Sequence, residues 1–294
     1  MKHAYLIMCY NNFKILDKLI ELLDSEENDF FIHVDAKTPG TAEQLLTYRP
    51  QASKVYFTER IKVYWGSINE LKGNLILMHA AMEADTRYDY LHFMQGADFP
   101  IKTAKQIRRF FEANKGKEFL YIDPEWYSLG DYKLNYHHLF VNNPYYRRNK
   151  LLRIISNGIA RLEQLLGLKL GNEKIYSGSA MWTLSEEAVR FLLSREDYII
   201  RRCKYAIVPV EMIWHTLLMN SSFAERVYDF EKDGSNLYLI DWTRREGNSP
   251  HTFASDDYDM LIKAPEQFLY ARKFNENKDF TIIERLFERL WEKE

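Results

Sequence analysis

Apolar and polar positions along this chain switch between two periods. AYLIMCY (4–10) is almost wholly apolar and reads as a buried strand, and FKILDKLIELLDS (13–25) repeats its apolar residues at helical spacing. DFFIHVDAK (29–37) is a strand again. Strand, helix, strand in this order predicts a parallel, right-handed βαβ unit whose ligands sit at the carboxyl ends of its strands. Tyr10, Asn11 and the His33-Val34-Asp35 triplet then share one rim. The alternation continues with a strand at 54–59, a long helix at 68–84, a strand at 88–94, a helix at 103–114 capped by Thr103, and a strand at 118–123. The pattern is that of an α/β sandwich, a sheet covered by helices.

From residue 124 the pattern breaks into an aromatic stretch, PEWYSLGDYKLNYHHLFVNNPYYRR, read as loop-rich. A helix over 147–170 places Leu151, Ile155, Ile159, Leu162 and Leu166 on one face, with Arg147, Arg148, Lys150, Arg153 and Arg161 around the remainder. Such a helix either lies on an anionic membrane surface or packs on the domain in the ordinary way. A strand at 179–185, helices at 186–195 and 209–221, strands in LYLIDW and QFLYARKF, and a closing helix at 280–294 complete the chain. Without repeats or flexible linkers, the expectation is one domain over 1–294.

Composition narrows the function classes. Forty basic and 42 acidic residues leave a net charge of -2, which excludes a whole-protein attraction to nucleic acid. Twenty Tyr, 18 Phe and 6 Trp supply flat rings suited to the apolar faces of sugars and bases, although a ring-rich core accounts for most of them. Two cysteines make neither a disulfide framework nor a zinc site, and no run approaches the ~20 apolar residues of a membrane span. The expected setting is the cytoplasm, with a peripheral membrane contact as one reading of 147–170.

The residues that could carry chemistry begin with Asp98. YLHFMQGADFPIKT (90–103) delivers this acidic residue to a strand end, where many sugar-nucleotide enzymes place a D-x-D pair on a divalent metal, but here it stands alone. It serves equally well as a turn-former. His33 and Asp35 share a strand face. Glu211, behind Pro209, either favours a helix dipole or acts as a general base. Lys273 falls on an apolar strand face, which suggests a bound anion, and Arg244 and Arg245 add charge in a loop. The literal D-x-D, Asp257-Tyr258-Asp259, lies at a helix start after Ser255 and reads as capping.

Taken in order, AYLIMCYNNFKILDKLIELL, FFIHVDAK, VYWGSINELKGNLILMHAA, YDYLHFMQGADFPIKT, YSGSAMWTLSEEAVRFL, VPVEMIWHTLLMNS, IDW with SPHTF, and FLYARKF resemble the core-2/I-branching N-acetylglucosaminyltransferase family, which includes the protein O-xylosyltransferases. The resemblance runs from Ala4 to Phe274. It implies a GT-A type fold with a Rossmann-like mixed sheet between helices, a UDP-sugar donor, inversion at the anomeric carbon, and neither a metal nor another cofactor.

By the same resemblance Glu211 is the catalytic base and Lys273 neutralises the donor diphosphate, with Arg244 or Arg245 as its partner. Tyr10, Asn11, Asp35, Trp65, Gly66, Gly96, Asp98, Ser177, Gly178 and Ser179 surround the nucleotide and donor sugar. The family's acceptor contacts fall in the poorly matched insertion at 124–175, with Tyr136, His137 and Trp182 as candidates. The animal family's membrane anchor, stem and disulfides are missing from this sequence. It therefore looks like a bacterial member acting on a glycan or lipid-linked saccharide in surface polysaccharide assembly. N-acetylglucosamine is the expected sugar; xylose, galactose and glucose are alternatives within the mechanism, and a non-catalytic nucleotide-sugar-binding partner is the alternative outside it.

Overall fold

The computed structural model describes residues 1–123, 125, 127–229 and 234–292. The chain runs β1 (His3–Cys9), α1 (Phe13–Leu23), β2 (Asn28–Val34), α2 (Ala42–Leu45), β3 (Lys54–Phe57), α3 (Ile68–Glu83), β4 (Tyr90–Gln95), β5 (Asp98–Pro100), α4 (Ala104–Ala113) and β6 (Phe119–Ile122). It continues through α5 (Tyr127–Asn135), α6 (Lys150–Leu165), β7 (Gly178–Ser185), α7 (Glu186–Leu193), α8 (Glu196–Cys203), α9 (Ile213–Met219), β8 (Tyr238–Ile240), α10 (Tyr258–Ile262), β9 (Tyr270–Arg272) and α11 (Thr281–Trp291).

Among the described residues six strands form one sheet in the order β3-β2-β1-β4-β7-β6, and three form a smaller sheet, β5-β9-β8. β1, β2, β3 and β4 are mutually parallel, whereas β7 is antiparallel to both of its neighbours. The large sheet is the Rossmann-like mixed sheet expected. Along β1, Tyr5, Ile7 and Cys9 join an apolar cluster with α1 and α11, while Ala4, Leu6 and Met8 join another with α3, α7 and α9. Both faces of β1 are buried, which is why its sequence lacks a polar alternation.

Thr103 caps α4 as expected: its hydroxyl accepts from the Gln106 N–H at 3.1 Å, and Gln106 Oε1 accepts from the Thr103 N–H at 3.0 Å. Other boundaries are corrected. β2 ends at Val34, so Asp35 lies beyond the strand rather than on its face with His33. The helix expected over 209–221 is a 3-10 turn, Pro209–Glu211, followed by α9, which takes Glu211 out of any α-helical first turn. The stretch read as loop-rich holds α5, and a second helix, α8, follows α7.

Pro124 and Trp126, in the stretch read as a loop, and the last two residues of the closing helix lie outside the described residues. No helix among the described residues is long and apolar enough to cross a membrane. Cys9 and Cys203 are buried free thiols.

Candidate active site

The parallel register sets Cys9 beside Val34 and Met8 beside Gln95, so the carboxyl ends of β1, β2 and β4 form one rim. The antiparallel β7 brings its amino end, Gly178, to the same rim. At the end of β1 the Tyr10 ring is exposed and Asn11 is partly covered. Gly96 closes against them: a β-carbon there would fall 2.9 Å from Cys9 Cβ and 3.1 Å from the Asn11 carbonyl oxygen.

Asp35 organises the loop after β2. It accepts from the N–H groups of Lys37 at 2.9 Å and Val63 at 3.4 Å, and it pairs with Lys37 Nζ at 3.1 Å. Ser177 is buried, and its Oγ has no hydrogen-bond partner among the described residues. Ser179 is half-buried and accepts from the Met181 N–H at 3.4 Å.

The smaller sheet settles what stands against Asp98. β5 and β9 pair so that Asp98 faces Arg272. Arg272 Nη1 lies 2.5 Å from Asp98 Oδ1, and its Nη2 donates to Gln95 Oε1 at 2.5 Å. The second Asp98 oxygen accepts the Gln95 N–H at 2.8 Å. Burial pushes the Asp98 carboxyl up from its ordinary value, and the Arg272 charge pulls it back. With both oxygens engaged, Asp98 is a clamp between strands rather than an open metal ligand. Among the described residues no group of three or more His, Cys, Asp or Glu side chains is placed to hold an ion.

Lys273 directly follows Arg272 across a cis peptide bond. Its amine donates to Ser249 Oγ at 3.1 Å, and burial, then the Arg272 charge, lowers its pKa. Arg244 is committed elsewhere, with Asp241 at 2.5 Å and Asp257 at 2.7 Å. Arg245 is exposed on the same loop. The cation adjoining Lys273 is therefore Arg272, which no local pattern in the sequence singles out. Asp257 also accepts the Ala254 N–H at 2.9 Å, the capping expected of the D-x-D stretch.

Glu211 sits at the end of the 3-10 turn, its Oε2 3.4 Å from Lys133 Nζ of α5. Burial raises its pKa, and Lys133 opposes the rise. A backbone relay holds that turn. Glu70 of α3 accepts the Gly66 N–H at 2.9 Å, the Gly66 carbonyl accepts the Val208 N–H at 2.9 Å, and the Val208 carbonyl accepts the Glu211 N–H at 3.1 Å. Gly66 has φ +75°, a conformation that glycine adopts without strain. The Glu70 carboxyl is pushed up to about 7, chiefly by burial; the Glu211 charge adds to the rise, while the Gly66 N–H, Arg272 and Arg147 oppose it. Glu70 thus lies within electrostatic reach of both the Glu211 side and the Arg272 side of the rim. It was legible in sequence only as an acidic residue in a helical first turn.

The acceptor candidates separate. His137 is held by Glu163, which takes its N–H and its Nδ1 at 2.7 Å each. Tyr136 is 2% exposed and Trp182 is 1% exposed and stacked on Phe93, so neither offers a ring face to a ligand and both leave the acceptor set. Trp65, like Tyr10, is an exposed ring, at 56%, with the Arg147 guanidinium 4.0 Å above it.

The molecule is thus a Rossmann-like mixed sheet between helices, with the half-buried Glu211 carboxylate on one side of its rim and a lysine-arginine pair at the end of the small sheet. The chain belongs to the Core-2/I-Branching enzyme family, which it matches over residues 3–263. It is 22% identical over 304 aligned positions to xylosyltransferase 2 of Canis lupus familiaris, covering 96% of this chain and 33% of that protein. It is 23% identical over 291 positions to xylosyltransferase 1 of Homo sapiens, covering 92% and 28%. The chain thus spans about a third of the length of the curated relatives it matches. The crystal structure of mouse xyloside xylosyltransferase 1, apo form, aligns with 92% of this chain and 97% of its own at 10% identity, with a TM-score of 0.37.

Proposed function

We propose that the protein is an inverting, metal-independent glycosyltransferase that moves a sugar from a UDP-sugar to a glycan hydroxyl in bacterial surface polysaccharide synthesis. The observation that carries this reading is the rim itself. Glu211 lies on one side, paired with Lys133, and on the other Arg272 occupies Asp98 beside Lys273, which supports a base facing a pair of cations. Glu211 takes the proton from the acceptor hydroxyl as its oxygen attacks the anomeric carbon from the face opposite the nucleotide. One displacement inverts that centre. Charge then builds on the leaving diphosphate, where Lys273 and Arg272 supply fixed positive charge of the kind a metal gives elsewhere.

Tyr10, Asn11 and Asp35 are the nucleotide contacts in this reading, and Trp65, Gly66, Gly96 and Ser177 to Ser179 surround the donor sugar. The partners are the UDP-sugar and a glycan or lipid-linked saccharide, with peripheral membrane contact through 147–170 at the cytoplasmic face.

The donor read from the family is UDP-N-acetylglucosamine, and the relatives named as xylosyltransferases make UDP-xylose the other donor to test first. UDP release is measured from a panel of UDP-sugars with EDTA and with manganese. One donor is expected to be turned over at the same rate in both. Turnover that appears only with manganese would overturn the metal-free mechanism and return attention to Asp98.

The relay through Gly66 yields a separate expectation. Glu70→Ala should lower kcat about 10-fold with donor KM unchanged, as expected when a catalytic group is misplaced by a fraction of an ångström. Glu70→Gln keeps an oxygen for the Gly66 N–H and should recover most of that loss. Equal kcat in wild type and Glu70→Ala would show that the relay does not position Glu211.

A further inference from the structure

α6 and the turn after it leave their apolar face uncovered. Leu151, Ile154, Leu162, Leu165, Leu166 and Leu168 are exposed, Leu165 by 84%. The side of α6 that meets the rest of the protein buries the small Ser156 and Ala160 fully and Leu152, Ile159 and Glu163 in part. Most of its large apolar side chains therefore face outward, against the ordinary arrangement in which the leucine face of a surface helix turns inward. Around that face, residues 147–170 carry Arg147, Arg148, Lys150, Arg153, Arg161 and Lys169 against one acidic residue, Glu163, in a chain whose net charge is -2. Glu163 is engaged with His137.

We propose that this face docks on an anionic lipid bilayer, lying in the headgroup plane with the leucines inserted and the basic side chains against the headgroups. Exposed leucines bordered by arginine and lysine match a surface that is apolar below and negative above. A second copy of the chain fits poorly, because a symmetric contact would set this basic face against itself. The helix is too short to span, so it lies on the bilayer rather than through it.

The face also adjoins the site. Arg161 stacks on Tyr132 of α5 at 4.7 Å, and the same helix carries Lys133 toward Glu211. Arg147 covers Trp65 beside Gly66. A saccharide borne on a lipid would reach the rim from this side; that clause rests on the glycosyltransferase reading, whereas the docking does not.

Flotation of the purified protein with vesicles of phosphatidylcholine alone, or mixed with phosphatidylglycerol, tests the proposal. Binding is expected only with phosphatidylglycerol and is expected to weaken with salt. Leu162→Glu with Leu165→Glu should abolish it. Arg148→Gln, Lys150→Gln and Arg153→Gln together should weaken it on the order of 100-fold, or about fivefold per charge. Circular dichroism of each variant confirms that the fold is kept, and UDP release with a soluble acceptor should be unchanged in all of them.

No flotation by the wild type, or flotation indifferent to lipid charge and to both variants, overturns the docking. A wild-type dimer that Leu162→Glu with Leu165→Glu dissolves also overturns it, in favour of a second copy. Flotation without turnover of any donor would leave the docking standing and sink the catalytic reading.

Discussion

Glu211→Ala is expected to lower sugar transfer on the order of 10³-fold while UDP still binds with near-normal affinity. The loss falls on kcat because the carboxylate acts on the acceptor proton and not on the nucleotide. Glu211→Gln should be as inactive, since an amide of the same shape cannot accept that proton. Near-normal turnover in either variant would falsify the base assignment.

The pH profile carries the same assignment with a fixed sign. A base works deprotonated, so activity should fall as pH falls through the Glu211 titration. Burial raises that carboxyl, so the fall should begin above the ordinary glutamate value of about 4.3. Lys133→Met removes the charge that opposes the rise, and the acid limb should then move to still higher pH. Stability follows the same linkage. A carboxyl whose folded pKa is raised contributes stability that is fully present below its unfolded pKa and is lost as pH rises through the folded one. Glu211→Gln should therefore melt no lower than wild type at neutral pH, the usual exchange of function for stability.

The strand and helix alternation was legible because burial imposes its period on the sequence: β1 reads as continuously apolar since both of its faces pack. α5 was not legible, because its nine residues, YSLGDYKLN, include Gly130 and give no clean apolar stripe. The helix expected over 147–170 is shorter, Lys150–Leu165, because Arg147 and Arg148 precede the Asn149 cap. At the site, residue type alone left Glu211 and Lys273 undecided, and the family resemblance gave them their roles. Arg272 was hidden because its meaning lies in Asp98, 174 residues away, and no local period reports such a pairing. Trp182 misled for a related reason: an aromatic in a rim strand looks available until a neighbouring strand covers it with Phe93.

The Asp98 and Arg272 pair gives the other large effect, this time on folding. Arg272→Ala leaves a fully buried carboxylate without its cation, and breaking a buried pair in that way costs about 3–5 kcal/mol. At roughly 2–4 °C per kcal/mol the melting temperature should drop by about 10 °C. The deficit should narrow on acidification, because the abandoned Asp98 takes up a proton and its uncompensated charge disappears. Asp98→Asn combined with Arg272→Gln removes both charges and should regain most of the stability.

Lys273→Ala should leave melting nearly unchanged, since the amine's side-chain partner is the Ser249 hydroxyl. It should nonetheless lower kcat at least 10-fold, because its charge is matched to the leaving diphosphate. The double variant separates the two parts that Arg272 plays. If it melts like wild type and still fails to release UDP while Asp98→Asn alone releases it, the arginine stabilises the leaving group as well as Asp98. If it recovers turnover along with stability, Arg272 serves the fold alone, and the diphosphate charge falls to Lys273 and a cation elsewhere on the loop, with Arg245 the first to replace.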